Sequence, residues 1–174
     1  MGRSDAFSRR RFVGAVGGIA ASPLLAGCSS GGGGCSEPKT DATPESLLPE
    51  EGNGFEQLSA SEAQLQEKGD ARIQGRYADE DVSYTVFIFR FREQAGATEY
   101  EQSLVDAAEM QNTSVYAAFA LGNFVFGALV EASDLTRDET LGRVEELLGG
   151  SSTLSAGCVA DKNALDDDTL PPTE

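Results

Sequence analysis

Val82-Ser83-Tyr84-Thr85-Val86-Phe87-Ile88-Phe89-Arg90-Phe91-Arg92 is the stretch that decides the fold. Aromatic and β-branched residues dominate it, and that composition with a period of two reads as a strand. Val82, Tyr84, Val86 and Ile88 share one face, while Phe87, Phe89 and Phe91 take the other. Two apolar faces make it a central strand of its sheet.

The flanks fill in around it. Upstream, Ala71, Ile73, Gly75 and Tyr77 alternate with Arg72, Gln74 and Arg76, which predicts a half-buried strand. Asp79-Glu80-Asp81 makes the short polar hairpin loop between the two strands. Downstream, Ala97, Tyr100, Leu104 and Ala108 recur at three- and four-residue steps, so a helix is expected from Glu93 to Met110, with Glu93, Glu99, Glu101 and Asp106 mostly facing out. Ser114–Leu121 and Phe124–Glu131 follow as strands around Gly122-Asn123, a hairpin signal. Thr136 with Glu139 three residues on is a capping-box pattern. It opens a helix that points Leu141, Val144, Leu147 and Leu148 inward and ends at Gly149-Gly150.

Segment 55–68 stays open at this level: Phe55 to Leu58 as a strand, Ser61 to Lys68 as a short helix or a second strand. The order β-β-α-β-β-α, with one more strand allowed at the start, predicts an α+β fold. Its antiparallel sheet has four to five strands with two helices packed on one face. The Phe-rich face lies under those helices. The other face, with Tyr84, Val86, Ile88 and Tyr116, is then a candidate binding surface unless segment 55–68 covers it.

The 174 residues include 13 Lys+Arg, 29 Asp+Glu, no His, no Trp and three Cys, for a formal net charge of −16. One domain is the expectation at this length. Without His the chain lacks the usual neutral-pH acid/base and the commonest metal ligand. The acidic balance argues against nucleic acid as a partner, since phosphates need Lys/Arg neutralisation. Asp79-Glu80-Asp81 and Asp166-Asp167-Asp168 lack the spacing and turn glycine of a calcium loop, so they read as solvated turns, and neither metal nor cofactor is expected. Gly31 to Gly34 lacks the strand, lysine and helix of a phosphate loop. Paired carboxylates can run glycoside hydrolysis only across a cleft of fixed separation, which nothing in the sequence implies. Arg90 and Arg92 suit an anion or, more ordinarily, a salt bridge to a helix acid.

The N-terminus carries an address. Ser8-Arg9-Arg10-Arg11-Phe12-Val13 sets paired arginines before a phenylalanine, and a Gly/Ala-rich apolar run follows from Val13 to Ala26. That run is too short for a spanning helix. Basic then apolar is the order of a secretory signal, and Arg9, Arg10 and Phe12 resemble the recognition core of the twin-arginine export route. Leu25-Ala26-Gly27-Cys28 resembles a lipobox, which implies lipidation of Cys28 and residence on the outer face of the cytoplasmic membrane. The expected division is a signal peptide over 1–27, a Gly/Ser/Pro tether over 28–47, one α+β domain over 48–160 and an acidic tail over 161–174.

Cleavage before Cys28 removes four of the 13 basic residues and one of the 29 acids, leaving 9 − 28 = −19 over 147 residues. This acid-rich, lysine-poor pattern resembles proteins of halophilic archaea, whose self-repulsion molar salt screens. Cys35 and Cys158 remain once Cys28 is lipidated. A disulfide between them is plausible for an exported chain and would contribute about 4 kcal/mol in the chain-entropy model; two free thiols are the alternative. Neither suits a nucleophile, there being no histidine to activate it.

Leu47-Leu48-Pro49, Phe55, Gly75-Arg76-Tyr77 and Tyr84-Thr85-Val86 resemble a set of haloarchaeal lipoproteins in which such motifs precede an Ala-rich helix. The resemblance spans about 46–160 and implies no activity. The expectation is a non-catalytic binding or interaction module of the cell envelope, with another envelope protein as a partner. The rival readings are a surface enzyme using carboxylates or a metal, and a purely structural component.

Overall fold

The computed structural model describes residues 35–62, 69–80, 82–111, 114–131 and 134–165. Arg9, Arg10, Phe12, Cys28 and Asp166–Asp168 lie outside the described residues. In chain order the elements are a 3-10 turn (Pro44–Leu47), β1 (Glu56–Ser61), β2 (Ala71–Asp79), β3 (Val82–Arg90), α1 (Gln94–Gln111), β4 (Val115–Leu121), β5 (Phe124–Val130), α2 (Arg137–Leu148) and α3 (Ala156–Lys162).

The fold is α+β: among the described residues, one antiparallel five-stranded sheet in the order β1-β2-β3-β5-β4, with three helices. β3 sits in the middle, as its two apolar faces require. α1 carries the chain to the far edge, where β4 forms, and β5 returns to the place beside β3. The β4–β5 turn is Gly122-Asn123, with Gly122 at φ +61°, the glycine-first arrangement of a II′ hairpin. Within segment 55–68, Glu56–Ser61 supplies the edge strand β1, while residues 63–68, expected as a short helix or second strand, lie outside the described residues.

α1 does not share a face with α2 and α3. On one side Phe87, Phe89 and Val125 pack with Ala97, Tyr100 and Leu104 of α1. On the other, Ile73, Tyr77, Tyr84, Val86, Ile88, Phe119 and Phe126 pack with Val144, Leu147 and Leu148 of α2 and Cys158 and Val159 of α3. The expectation of two helices on one face is corrected for a plain reason. Leaving a second aromatic and β-branched face in water forfeits about 25 cal/mol for every Å² it could bury, so α2 and the unforeseen α3 cover it.

The domain boundaries shift as well. Residues 35–47, expected to belong to a free tether, pack against the body: Pro38, Pro44 and Leu47 are buried, as are Leu48 and Pro49 just beyond. Leu47 and Leu48 join the core under β2 and β3, and the N–H of Ser36 donates to the carbonyl of Thr153. At the other end Leu165 is buried with Ala108, Val115 and Ala118. Packing into the body therefore includes both the first and the last described residues, Cys35 and Leu165.

Tyr77 ties this strap to the sheet. Its hydroxyl donates to the carbonyl of Pro49 (2.9 Å) and accepts from Gln57 Nε2 (3.0 Å). Burial pushes its pKa up to about 12, the Gln57 hydrogen bond pulls the other way, and Glu51 adds a small upward push. The unfolded chain then loses this proton near pH 10 while the folded chain keeps it, so stability is constant below about 10 and declines toward about 12. Each unit of that gap is worth about 1.4 kcal/mol. Urea unfolding at stepped pH should show the decline, and Tyr77→Phe should lessen it, with Tyr84 and Tyr100, whose pKa values burial also raises, supplying the remainder. An equal decline in Tyr77→Phe would refute the assignment.

The two sheet edges differ. Along β4 the outward backbone groups are capped: Ala118 N–H donates to Asn163 Oδ1 (3.0 Å), Ala120 N–H to Glu101 Oε1 (2.7 Å), Asn163 Nδ2 to the carbonyl of Tyr116 (3.0 Å), and Ala164 N–H to the carbonyl of Ala118 (2.9 Å). Along β1 no described residue pairs with the outer edge.

Candidate functional site

Tyr84, Val86 and Ile88 are each 0 % exposed. The candidate binding face is therefore core, closed by α2, α3 and the strap. Tyr116 is half-buried, sits at a register shift between Val115 and Ala117 on the far-edge strand, and does not join the other three in an open surface.

Cys35 and Cys158 are joined as a disulfide, with 5.1 Å between Cα atoms and 123 residues between them in sequence. Cys158 lies in the first turn of α3, where Ser155 caps the helix by accepting from the Cys158 N–H. A seven-residue helix has too few positions to show a period, but Ser155 was a readable cap.

Asp79 is not a solvated turn acid. Its side chain is 6 % exposed and accepts from the Tyr84 hydroxyl (2.9 Å), with Arg143 Nε at 3.4 Å. Arg143 also reaches Glu146 (3.3 Å) and lies over the Phe55 ring, 5.8 Å from its centroid. Burial raises the Tyr84 pKa, and the hydrogen bond to Asp79 adds to it. The cluster satisfies itself, and its role is to fasten α2 to the β2–β3 hairpin. Arg90 and Arg92 do not pair with helix acids either. Arg90 donates to the carbonyls of Asp41 (3.4 Å) and Ala42 (3.1 Å), holding the strap, and Arg92 bridges to Asp70 (3.1 Å).

A surface feature lined by aromatic and charged side chains lies where β3 hands over to α1. Two adjoining hollows of ≈ 280 and ≈ 380 Å³ are lined by Phe91 and Tyr100, by Gly69 and Gly96, and by Asp70, Arg92, Glu93, Glu99 and Ser103. The Phe91 and Tyr100 rings stand 5.5 Å apart, tilted by 46°. A Cβ at Gly96 would come within 3.3 Å of the Phe91 ring, so glycine there keeps the hollow open. Burial also raises the pKa of Tyr100. An aromatic floor with charged walls suits binding of a small or extended ligand. The sequence hint was Gly96 inside a helix, where glycine costs about 1 kcal/mol relative to alanine.

A second hollow gathers Glu50, Glu51 and Asn53 against Glu146. Among the described residues no group of three or more His, Cys, Asp or Glu is placed to hold a metal ion. Comparison with protein-family models, with curated proteins and with solved structures finds no match to this chain.

Proposed function

We propose that this is an exported, lipid-anchored protein of the cell surface, held on the outer face of the cytoplasmic membrane through Cys28 and acting there by binding. The observation that supports the reading is the Cys35–Cys158 disulfide. Such bonds form and persist in oxidising compartments outside the cytosol, the destination that the paired arginines and the Leu25-Ala26-Gly27-Cys28 motif imply. The disulfide also redefines the leash. With Cys35 fastened to α3, Cys28 is 35 − 28 = 7 residues from that anchor point along the chain, a span of at most about 25 Å. The folded unit then works close against the lipid, and the aromatic-lined Phe91–Tyr100 hollow is the place that would receive a ligand or a segment of an envelope partner.

Membrane fractionation of a Cys28→Ala variant tests the anchor. The natural chain should pellet with membranes and the variant should appear in the soluble fraction. Recovery of the variant in the pellet at the natural level would sink the proposal. Crosslinking of intact cells, followed by identification of what co-purifies, tests the binding role; the Gly96→Leu variant, which fills the hollow, should lose its crosslinked partner.

A further inference from the structure

We infer that the outer edge of β1 pairs with the same edge of a second copy, joining two five-stranded sheets across a two-fold axis into one continuous antiparallel sheet. The first observation is the contrast between the edges. β4 is closed by Asn163, Ala164 and Glu101 at every outward group named above, the kind of cover that keeps an edge from pairing. β1 has no such cover among the described residues. It also lacks the lysine or proline that commonly guards an edge. Its guards are exposed Glu56 at its start and the irregularity between Gln57 and Ser59, where Leu58 lies; beyond it Ser59, Ala60 and Ser61 run in unbroken register with Arg76, Gly75 and Gln74.

The second observation is charge, and it selects the occupant. The chain from Cys28 on carries 28 acids in 147 residues, yet Gln57-Leu58-Ser59-Ala60-Ser61 has no charged residue although all but Gln57 are exposed. Exposed Glu56 and Glu62 bound the stretch, so its centre is uncharged and its carboxylates lie at the rim. An equally acidic copy of the chain meets an uncharged strand centre here: with Leu58 opposite Leu58, Glu56 falls opposite Ala60 rather than another carboxylate, and depletion of charge is what interface centres show. Leu58, at 53 % the most exposed large apolar side chain among the described residues, sits in the middle of that stretch. An antiparallel edge is self-complementary under a two-fold axis, so Leu58 of each copy comes to the centre of the contact. The remaining acids of the two copies still repel, so pairing should strengthen as salt shortens the screening length from about 10 Å at 0.1 M to about 3 Å at 1 M.

Single substitutions Leu58→Cys, Ser59→Cys and Ala60→Cys in the full chain, oxidised in expressing cells, test the contact. A disulfide-linked homodimer is expected on non-reducing gels, several-fold above an Asp161→Cys control on the exposed side of α3. Both the pelleted and the soluble material are read, so a failure of the lipid anchor does not obscure the result. Light scattering of the purified full chain in molar KCl should give the dimer mass, and Leu58→Lys should give the monomer mass with an unchanged melting temperature. A monomer mass for the natural chain in molar KCl, or cysteine trapping no higher than the control, would overturn the inference. So would trapping of a different protein in place of a second copy.

Discussion

Reducing the Cys35–Cys158 bridge, or replacing it in a Cys35→Ala/Cys158→Ala double variant, should lower the unfolding free energy by about 2–5 kcal/mol. The bridge spans 123 residues, so in the chain-entropy account it restricts nearly the whole unfolded chain, and the expected loss lies toward the upper end of that range. The reduced protein should still fold, because the strap has other holds: Leu47 and Leu48 in the core, Ser36 on Thr153, and Arg90 on the carbonyls of Asp41 and Ala42. Urea curves with and without reductant, at one fixed salt concentration, measure the difference. The double variant should be indifferent to reductant. Superimposable curves for the natural protein in both conditions would remove the bridge from the stability of the domain.

Replacing Gly127 with valine should be as damaging from within. Gly127 lies opposite Phe87 across the β3–β5 pair, and the Phe87 ring folds over it. A Cβ at Gly127 would stand 2.1 and 2.3 Å from two atoms of that ring and 3.0 Å from the carbonyl oxygen of Ala117. Phe87 cannot swing away freely, since it is buried against Phe89 and α1. Overpacking of this kind costs about 1–3 kcal/mol for added methylenes in a tight core, sometimes more, and valine adds a branched side chain. A loss of at least about 3 kcal/mol is expected for Gly127→Val, and a smaller one for Gly127→Ala. The cause is checked by a cycle with Phe87→Ala, which itself costs about 3–5 kcal/mol. In that background Gly127→Ala should cost far less than alone, because the atoms it strikes are gone. Additive losses would show that the ring is not the obstacle.

Much of the sheet was legible because β3 states its position twice, once with Tyr84, Val86 and Ile88 and again with Phe87 and Phe89. The hairpin at Gly122-Asn123 and the capping box of Thr136 and Glu139 were readable because each rests on a hydrogen-bonding need that few residues meet. The side on which a helix packs was not readable, since the period of α2 says which residues turn inward but not which layer they enter. Asn53-Gly54 was a missed signal. Both residues have positive φ in a tight turn closed by reciprocal Gly52–Phe55 hydrogen bonds, and this dipeptide favours such turns. Gly149 fits the end of α2 for a reason different from the left-handed cap: its φ is −66°, and a Cβ there would meet the Ala156 nitrogen at 2.4 Å. The Phe91–Tyr100 hollow and the buried Asp79 were invisible because both depend on neighbours distant in sequence.

Because the bridge closes at Cys35 and Cys158, the polypeptide between them is a covalent ring, and Cys28 lies outside it on the N-terminal side. One peptide-bond cut anywhere within the ring opens a loop but releases no fragment. A protease would have to cut twice, or act with a reductant, before any part of the ring could leave the N-terminal segment. Endurance to nicking, rather than rigidity alone, is what this pairing of termini confers.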